Sequence, residues 1–313
     1  MKCVDLFSGT GAFSYILEKN GIECVFANDI LPESKTIYSL NNTNNNIFNV
    51  GDLNSIKPEL IPKHDILCGG FPCQPFSIAG EKKGFDDSRS NVFWKILEIL
   101  QFHKTKIIIL ENVKNLLTHD KGNTFKIIKT ELEKLGYTLV YKILDTAKIT
   151  TIPHHRERLY IIGFLEKNSK YVNFNLDFTN TNTSEITDML EVNVGEKYYY
   201  TNKLKVYDVV KDGVIKHVNT NTIYQYRRYY VRENKSNCCP TLTANMGTGG
   251  HNVPIIKDDK GIRKLTPREC FNLQGFPDTY ILPPLSNSKL YKLSGNAVTL
   301  PVIDLIIKKI INT

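Results

Sequence analysis

KCVDLFSGTGAFSYILEKNGIECVFAND, Lys2 to Asp29, reads as strand, glycine turn, helix and strand in quick succession. CVDLF and CVFAN are short apolar, β-rich runs, and SYILEKNG between them is helical and stops at Gly21. The same alternation continues outward. HDILC, KIIIL, LVYKIL and LYIIGF read as strands, with helical patterns in NVFWKILEILQFH and NTFKIIKTELEKLG. In the last of these, Phe125, Ile128, Leu132 and Leu135 repeat at helical spacing and form one buried face. Strands that are apolar throughout, alternating with helices, predict an α/β fold with a mostly parallel sheet covered by helices on both faces.

From about Tyr171 the pattern changes. NTNTSE is a polar linker, and the region to about Arg263 is rich in Tyr, Asn and Lys. KLKVYDVV and GVIKHV read as strands, and no long amphipathic helix is expected there. A smaller, mostly β or irregular domain follows. TPRECFNLQGFP then carries a short helix, and LPVIDLIIKKII is a terminal helix too apolar for a free tail. The expected division is 1–175 with 290–313 as a discontinuous larger domain, and 176–289 as a second domain and hinge.

A length of 313 residues suits one large domain or two unequal ones. No apolar run is expected to reach the roughly 18–20 residues of a membrane span, and MKCVDLFSGTGAF lacks signal-peptide architecture, so a cytoplasmic location is expected. Seven cysteines with no CxxC pair argue against a zinc site or a disulfide framework. No metal is expected, and most of these cysteines read as inert core residues. The net charge of +8 favours a polyanionic partner.

DLFSGTGAF puts two glycines between a strand and a helix, where open α/β sheets place ligands. Asp29 ends the second strand at a spacing that suits a ribose contact, and Asp52 follows the next β run. The third glycine of a dinucleotide fingerprint is absent, since Gly11 is followed by Ala12, Phe13 and Ser14. A nucleoside cofactor without phosphates, S-adenosylmethionine, therefore fits better than a nicotinamide dinucleotide.

GGFPCQPFSIAG follows the HDILC strand, so Cys73 lies in a Gly- and Pro-rich loop rather than a core. KIIILENV ends a strand at Glu111, on the sheet edge that also carries Cys73. HHRERLYIIGF sets Arg156 and Arg158 at alternate positions just before a strand, so both can face the same side.

FSGTG, GGFPCQPFS, ENV, RERLY, TPRECFNLQGFP and GNAV together resemble the ordered motifs of DNA cytosine-5 methyltransferases of the bacterial restriction–modification type. The resemblance runs from Asp5 to Val298 and is weak only between about Tyr171 and Arg263. It implies a Rossmann-like S-adenosylmethionine-dependent methyltransferase fold with a target-recognition domain. It implies that Cys73 is a nucleophile adding to cytosine C6, that Glu111 serves cytosine N3, that Arg158 holds O2 and that Arg156 helps position the site. For S-adenosylmethionine, yielding S-adenosylhomocysteine, it implies Phe7 on the adenine side and Gly9 and Gly11 beside the methionine. Asp29 would bind ribose and Asp52 the adenine amino group. Pro72, Asn296 and Val298 would line the methionine end, with Ile30, Leu53 and Val92 completing the set. Ser77 and Arg89 correspond to positions that touch DNA phosphate or order the catalytic loop. One departure stands out: His154 occupies the position where the family commonly has Gln.

IYQYRRYYVRENKS clusters Arg227, Arg228 and Arg232 among tyrosines, and CPTLTANMGTGGHNVP is a glycine-rich polar loop. Cations for phosphates and a polar loop for base edges suit a DNA-recognition region. The candidate DNA contacts are these arginines with Thr241, Asn245, Gly249, Gly250 and His251, Thr241 matching a phosphate-contacting family position. A duplex cytosine must be flipped out to react. The expected partner is double-stranded DNA, with a monomeric enzyme, no membrane, and a companion restriction endonuclease that need not bind it. The source is expected to be bacterial or phage-encoded. The nearest rival is a tRNA cytosine-5 methyltransferase of the related eukaryotic type. A nicotinamide-dependent oxidoreductase or a non-catalytic DNA-binding module leaves PCQ, ENV and RxR unexplained.

Overall fold

The computed structural model describes the chain apart from residues 73–91, 166–170, 181, 183, 217–221, 228, 235–236 and 249–251. Its internal packing separates two units. The first comprises Met1–Leu144, Glu157–Phe178 and Val302–Thr313; the second comprises Asp145–Arg156 and Thr179–Pro301.

The first unit carries β1 (Lys2–Leu6), α1 (Ala12–Lys19), β2 (Glu23–Asp29), α2 (Pro32–Asn41), β3 (Phe48–Val50), β4 (Ile66–Gly70), α3 (Val92–His103), β5 (Ile107–Val113), α4 (Asn123–Lys134), β6 (Thr138–Asp145) and β7 (Glu157–Phe164). The strands make one seven-stranded sheet in the order β3-β2-β1-β4-β5-β7-β6. β1 pairs in parallel with β2 and β4, β2 with β3, and β4 with β5, while β7 runs antiparallel to β5. Val4, Leu6, Leu67, Ile108, Leu110, Leu159 and Ile161 from the sheet join Phe93, Ile96 and Leu100 of α3 and Phe125, Ile128 and Leu132 of α4 in one buried cluster. Burial of so many large aliphatic and aromatic groups, at about 1.5–3 kcal/mol each, is what holds the helices to the sheet.

The second unit contains α5 (Thr146–Ile149), α6 (Tyr207–Ile215), β8 (Tyr224–Arg227), β9 (Tyr230–Glu233), β10 (Ile255–Asp258), β11 (Gly261–Lys264), α7 (Pro267–Asn272) and α8 (Asn287–Asn296). Its four strands form an antiparallel sheet in the order β11-β10-β8-β9. α6 corrects the expectation of strands at KLKVYDVV and GVIKHV. Val206, Val210 and Val214 fall at helical spacing and pack with Tyr224, Val231 and Ile255, so tertiary burial overrides the strand preference of the β-branched side chains. Asp145–Arg156 groups with the second unit, because its backbone bonds to Cys239 and its side chains reach Leu242, Leu273, Gly295 and Ala297.

The terminal helix α9 (Leu300–Asn312) buries Val302, Ile303, Ile306, Ile307 and Ile310. By length and composition alone, Asn287–Asn312 passes for a membrane span. It is instead two helices, α8 and α9, separated by non-helical residues 297–299, and 72% of its apolar window is buried inside the fold.

Two buried titratable groups in the first unit oppose one another. Asp5 in β1 is fully buried, and its Oδ2 accepts from the Ser14 amide at 3.1 Å and the Ser14 hydroxyl at 2.7 Å. Burial pushes its carboxyl from 3.8 up to about 7, against the lowering effect of Ser14. His64 donates from Nδ1 to Pro62 O at 2.8 Å and accepts at Nε2 from the Thr105 hydroxyl at 2.9 Å, and burial presses its imidazole from 6.5 down to about 4. The stabilisation linked to Asp5 is complete below its unfolded value and is lost as pH rises through about 7. That linked to His64 is complete above about 6.5 and is lost as pH falls towards 4. Each amounts to roughly 3–4 kcal/mol at most. The two slopes therefore largely cancel between about pH 4 and 6.5. Asp5→Asn should remove one of them, so that the denaturant midpoint of the variant climbs with pH across this window while that of the unaltered protein stays flatter. Parallel profiles for the two proteins would contradict a protonated Asp5.

Candidate active site

The site of the first unit is built at the ends of parallel strands. β1 runs into a turn in which Phe7 adopts a left-handed backbone (φ 56°), uncommon for a bulky side chain and concentrated at functional sites. The turn is held by Gly11 N donating to Ser8 O at 2.7 Å and Ser8 N donating to Asn28 O at 2.9 Å. At Gly11 (φ 72°) a Cβ would lie 2.8 Å from both Tyr38 and Asn42 side-chain atoms, so only glycine fits. Asp29 at the end of β2 spans the turn: its Oδ2 accepts from Gly9 N and its Oδ1 from Leu31 N, each at 2.8 Å. Each carboxylate oxygen retains a second lone pair.

Ile30 beside Asp29 is 65% exposed and Val50 at the end of β3 is 44% exposed, two apolar side chains facing outward where a ring would cover them. Asp52 follows, capping a short turn through Asn54 N at 2.9 Å, and Leu53 is buried. Asn28 Nδ2 bonds both Asn49 O and Gly51 O, which fixes β3 against β2. Phe7, Gly9, Gly11, Asp29, Ile30, Asp52 and Leu53 thus gather at the ends of β1, β2 and β3, while Pro72 lies beyond β4 and Val92 is buried at the start of α3. This set is acidic and apolar and includes no basic side chain. It suits a ligand that carries positive charge. Asn296 and Val298 belong to the second unit, Asn296 exposed and Val298 buried.

Parallel register sets Gly70 of β4 opposite Glu111 of β5. Across the other edge, antiparallel register sets Val113 opposite Arg158, and the Arg158 Nε lies 3.0 Å from Glu111 Oε1. Both side chains are largely withdrawn from water, at 14% and 10% exposure, so the pair is weakly screened. Arg158 Nη1 also donates to Glu157 O at 2.9 Å, and Lys114 is ion-paired with Glu157 alongside. Asn112, noted in the sequence only as the neighbour of Glu111, donates from Nδ2 to Phe71 O at 2.9 Å. It ties down the chain two residues ahead of Cys73; an amide directly after an acid at a strand end was the available signal. Cys73, Ser77 and Arg89 lie outside the described residues. The six other cysteines are buried thiols, and burial pushes those of Cys68, Cys239 and Cys270 well up.

Arg156 has partners of its own in the second unit. It precedes β7, belongs to the second unit and is 2% exposed, donating to the carbonyls of Leu242 at 2.9 Å, Gly295 at 3.3 Å and Ala297 at 2.7 Å. Its polar edge is used on main chain. His154 is fully buried as well, bonded to Leu273 O and Leu242 N.

The sequence matches the family described as C-5 cytosine-specific DNA methylase over residues 1–312. The chain belongs to this family. It is 45% identical over 315 residues to the Type II methyltransferase M.Bsp6I of Bacillus sp. (strain RFL6), covering 99% of this chain and 98% of that protein. It is 37% identical to the Type II methyltransferase M.HaeII of Haemophilus aegyptius, covering 100% and 93%. Among solved structures, the Dnmt2 methyltransferase of S. pombe superposes with a TM-score of 0.76 at 20% identity, covering 100% of this chain and 98% of that one, a likeness of fold. The protein is thus a DNA cytosine-5 methyltransferase, and its family and fold imply an S-adenosylmethionine-dependent reaction on DNA.

In the methylase's second unit, antiparallel register pairs Gln225 with Arg232 and Arg227 with Tyr230. Strand alternation then puts Gln225, Arg227, Tyr230 and Arg232 on one face of the β8–β9 hairpin, opposite buried Tyr224 and Val231. Tyr229 at its tip is 87% exposed. Asn245 is exposed; Thr241 is exposed too, but its hydroxyl donates to His155 O at 2.7 Å. Arg228, Gly249, Gly250 and His251 lie outside the described residues.

Proposed function

We propose that this methylase is the site-specific modification enzyme of a restriction–modification system, methylating C5 of a cytosine flipped out of duplex DNA through a covalent Cys73–C6 adduct. The observation that carries the reading is the Glu111–Arg158 pair, at the strand end whose parallel neighbour leads within three residues into Cys73. Cytosine C5 is too weak a nucleophile on its own. The Cys73 thiolate adds at C6, and the displaced electron pair makes C5 nucleophilic. Glu111 protonates or hydrogen-bonds N3 as negative charge builds there, and Arg158, ion-paired with Glu111, donates to O2 with guanidinium N–H groups that its hydrogen bond to Glu157 O leaves over. When bound, S-adenosylmethionine supplies an electrophilic methyl group. A base, either water or a side chain, then takes the C5 proton, and the freed C–H electron pair re-forms the C5–C6 double bond and expels the Cys73 sulfur as thiolate.

Phe7, Gly9, Gly11, Asp29, Ile30, Asp52, Leu53, Pro72, Val92, Asn296 and Val298 are assigned to the cofactor. The hairpin face of Arg227, Tyr230 and Arg232 is assigned to phosphates, and the Thr241–Gly247 segment with the glycine-rich residues after it to the target site, Thr241 at a phosphate and the residues beyond it at the bases. The type II character of the named relatives supports the restriction–modification setting. Expression in a methylation-free bacterium, followed by sequencing of its bisulfite-converted DNA, is expected to show 5-methylcytosine in one short sequence context. Unmodified DNA, with methyl label appearing in tRNA, would refute the reading.

A further inference from the structure

The segment His154–Arg156 does more in the second unit than lead into β7. Its backbone is zipped to Cys239: Cys239 N donates to Pro153 O at 2.7 Å and His155 N donates to Cys239 O at 2.8 Å. Its side chains then take hold of a single residue three positions further on. Leu242 N donates to His154 Nε2 at 3.1 Å, and Arg156 Nη1 donates to Leu242 O at 2.9 Å. Because His154 Nδ1 faces the carbonyl of Leu273 at 2.9 Å and a carbonyl only accepts, the imidazole is the neutral Nδ1–H tautomer, donor on one side and acceptor on the other. Both amide groups of Leu242 are thereby satisfied by side chains more than eighty residues away in sequence.

The same guanidinium holds the carbonyls of Gly295 and Ala297, one on each side of Asn296. Helix α8 ends here against the neighbouring peptide: a Cβ on Gly295 would lie 2.2 Å from the Thr243 carbonyl carbon and 2.5 Å from Ala244 N. No side chain fits in that gap, so the Thr243–Ala244 peptide rests directly on the end of α8.

We propose that His154 and Arg156 are positioning residues that set the register of the segment Thr241–Gly247 on α8, and through it the enzyme's discrimination among DNA sequences rather than its methyl-transfer step. The inference rests on the assignment of that segment to base recognition. A side chain that fixes one backbone peptide within a few tenths of an ångström acts on every base contact made by the residues that follow. Removing it leaves buried amide groups without partners and lets the segment shift.

The test uses the full-length enzyme, with methylation followed by bisulfite sequencing at the cognate site and at sites differing by one base pair, and with steady-state constants for DNA. His154→Leu, which removes both bonds, should lower discrimination and raise KM for DNA by about tenfold each. Its kcat at saturating DNA should stay within about threefold, and trapping on 5-fluorocytosine DNA should persist. His154→Gln, which again offers one donor and one acceptor, should restore discrimination. Arg156→Lys keeps the charge but cannot span three carbonyls, and should lose discrimination even where His154→Leu fails to fold. Unchanged discrimination in Arg156→Lys, or His154→Gln as damaged as His154→Leu, would overturn the proposal. So would a loss confined to kcat and trapping, which would place these residues in the chemistry. If the unaltered enzyme neither methylates nor traps DNA, the functional reading itself is what fails.

Discussion

Cys73→Ala is expected to lower methyl transfer by a factor on the order of 10⁴ or more, while binding of S-adenosylmethionine changes by less than about twofold. The size of the loss follows from the chemistry. Without sulfur at C6, C5 remains part of an aromatic ring, and positioning alone cannot raise its nucleophilicity. The other six cysteines cannot substitute. All are buried, and for Cys68, Cys239 and Cys270 burial disfavours the thiolate. Most of the residues proposed for the cofactor lie at the ends of β1, β2 and β3, far from Cys73 in the chain, and alanine at 73 leaves Pro72 in place, which is why binding should survive. Isothermal titration with the cofactor and transfer of a labelled methyl group to DNA measure the two effects independently. Turnover within a hundredfold of the unaltered enzyme, or failure of that enzyme to become trapped on 5-fluorocytosine DNA, would exclude the covalent route.

Glu111→Gln is the second large effect, a fall in kcat of about 10²–10⁴ with little change in KM for DNA. Glutamine keeps the shape and one acceptor but cannot deliver a proton to N3. It also leaves Arg158 facing a neutral group at a position only 14% exposed. Loss of that ion pair should cost about 1–2 kcal/mol of stability, visible as a modest fall in thermal midpoint with the fold retained. The pair of measurements separates the roles: a large stability loss with near-normal turnover would make Glu111 a structural partner of Arg158 and nothing more.

Much of the site is legible in the sequence because its pieces are local. A glycine turn between strand and helix, a Pro-Cys loop after an apolar strand and an acid at the end of another are each contained in a dozen residues. Strand and helix periodicity places the glycine turn and the acid at strand ends of one sheet, while Cys73 lies outside the described residues. α6 was misread for the converse reason: its valines favour strands locally, and only packing against Tyr224, Val231 and Ile255 makes the helix pay off in burial. The apolar C-terminal run shows the same limit, since composition does not distinguish a membrane span from core helices.

The arginines mark the boundary most clearly. Two residues apart in RER, they are equivalent by spacing, yet Arg158 pairs with Glu111 while Arg156 is spent on the carbonyls of Leu242, Gly295 and Ala297. His154 in place of the family's glutamine looks disruptive as letters, and is not, because both ring nitrogens find main-chain partners. The α/β class of the first unit and the glycine turn between its first strand and helix were determined by the amino-acid sequence itself. Which buried donor meets which acceptor was decided only by tertiary structure. Periodicity reports which face of an element is apolar, whereas a buried polar group must be satisfied by whatever the folded chain brings beside it, here from more than eighty residues away.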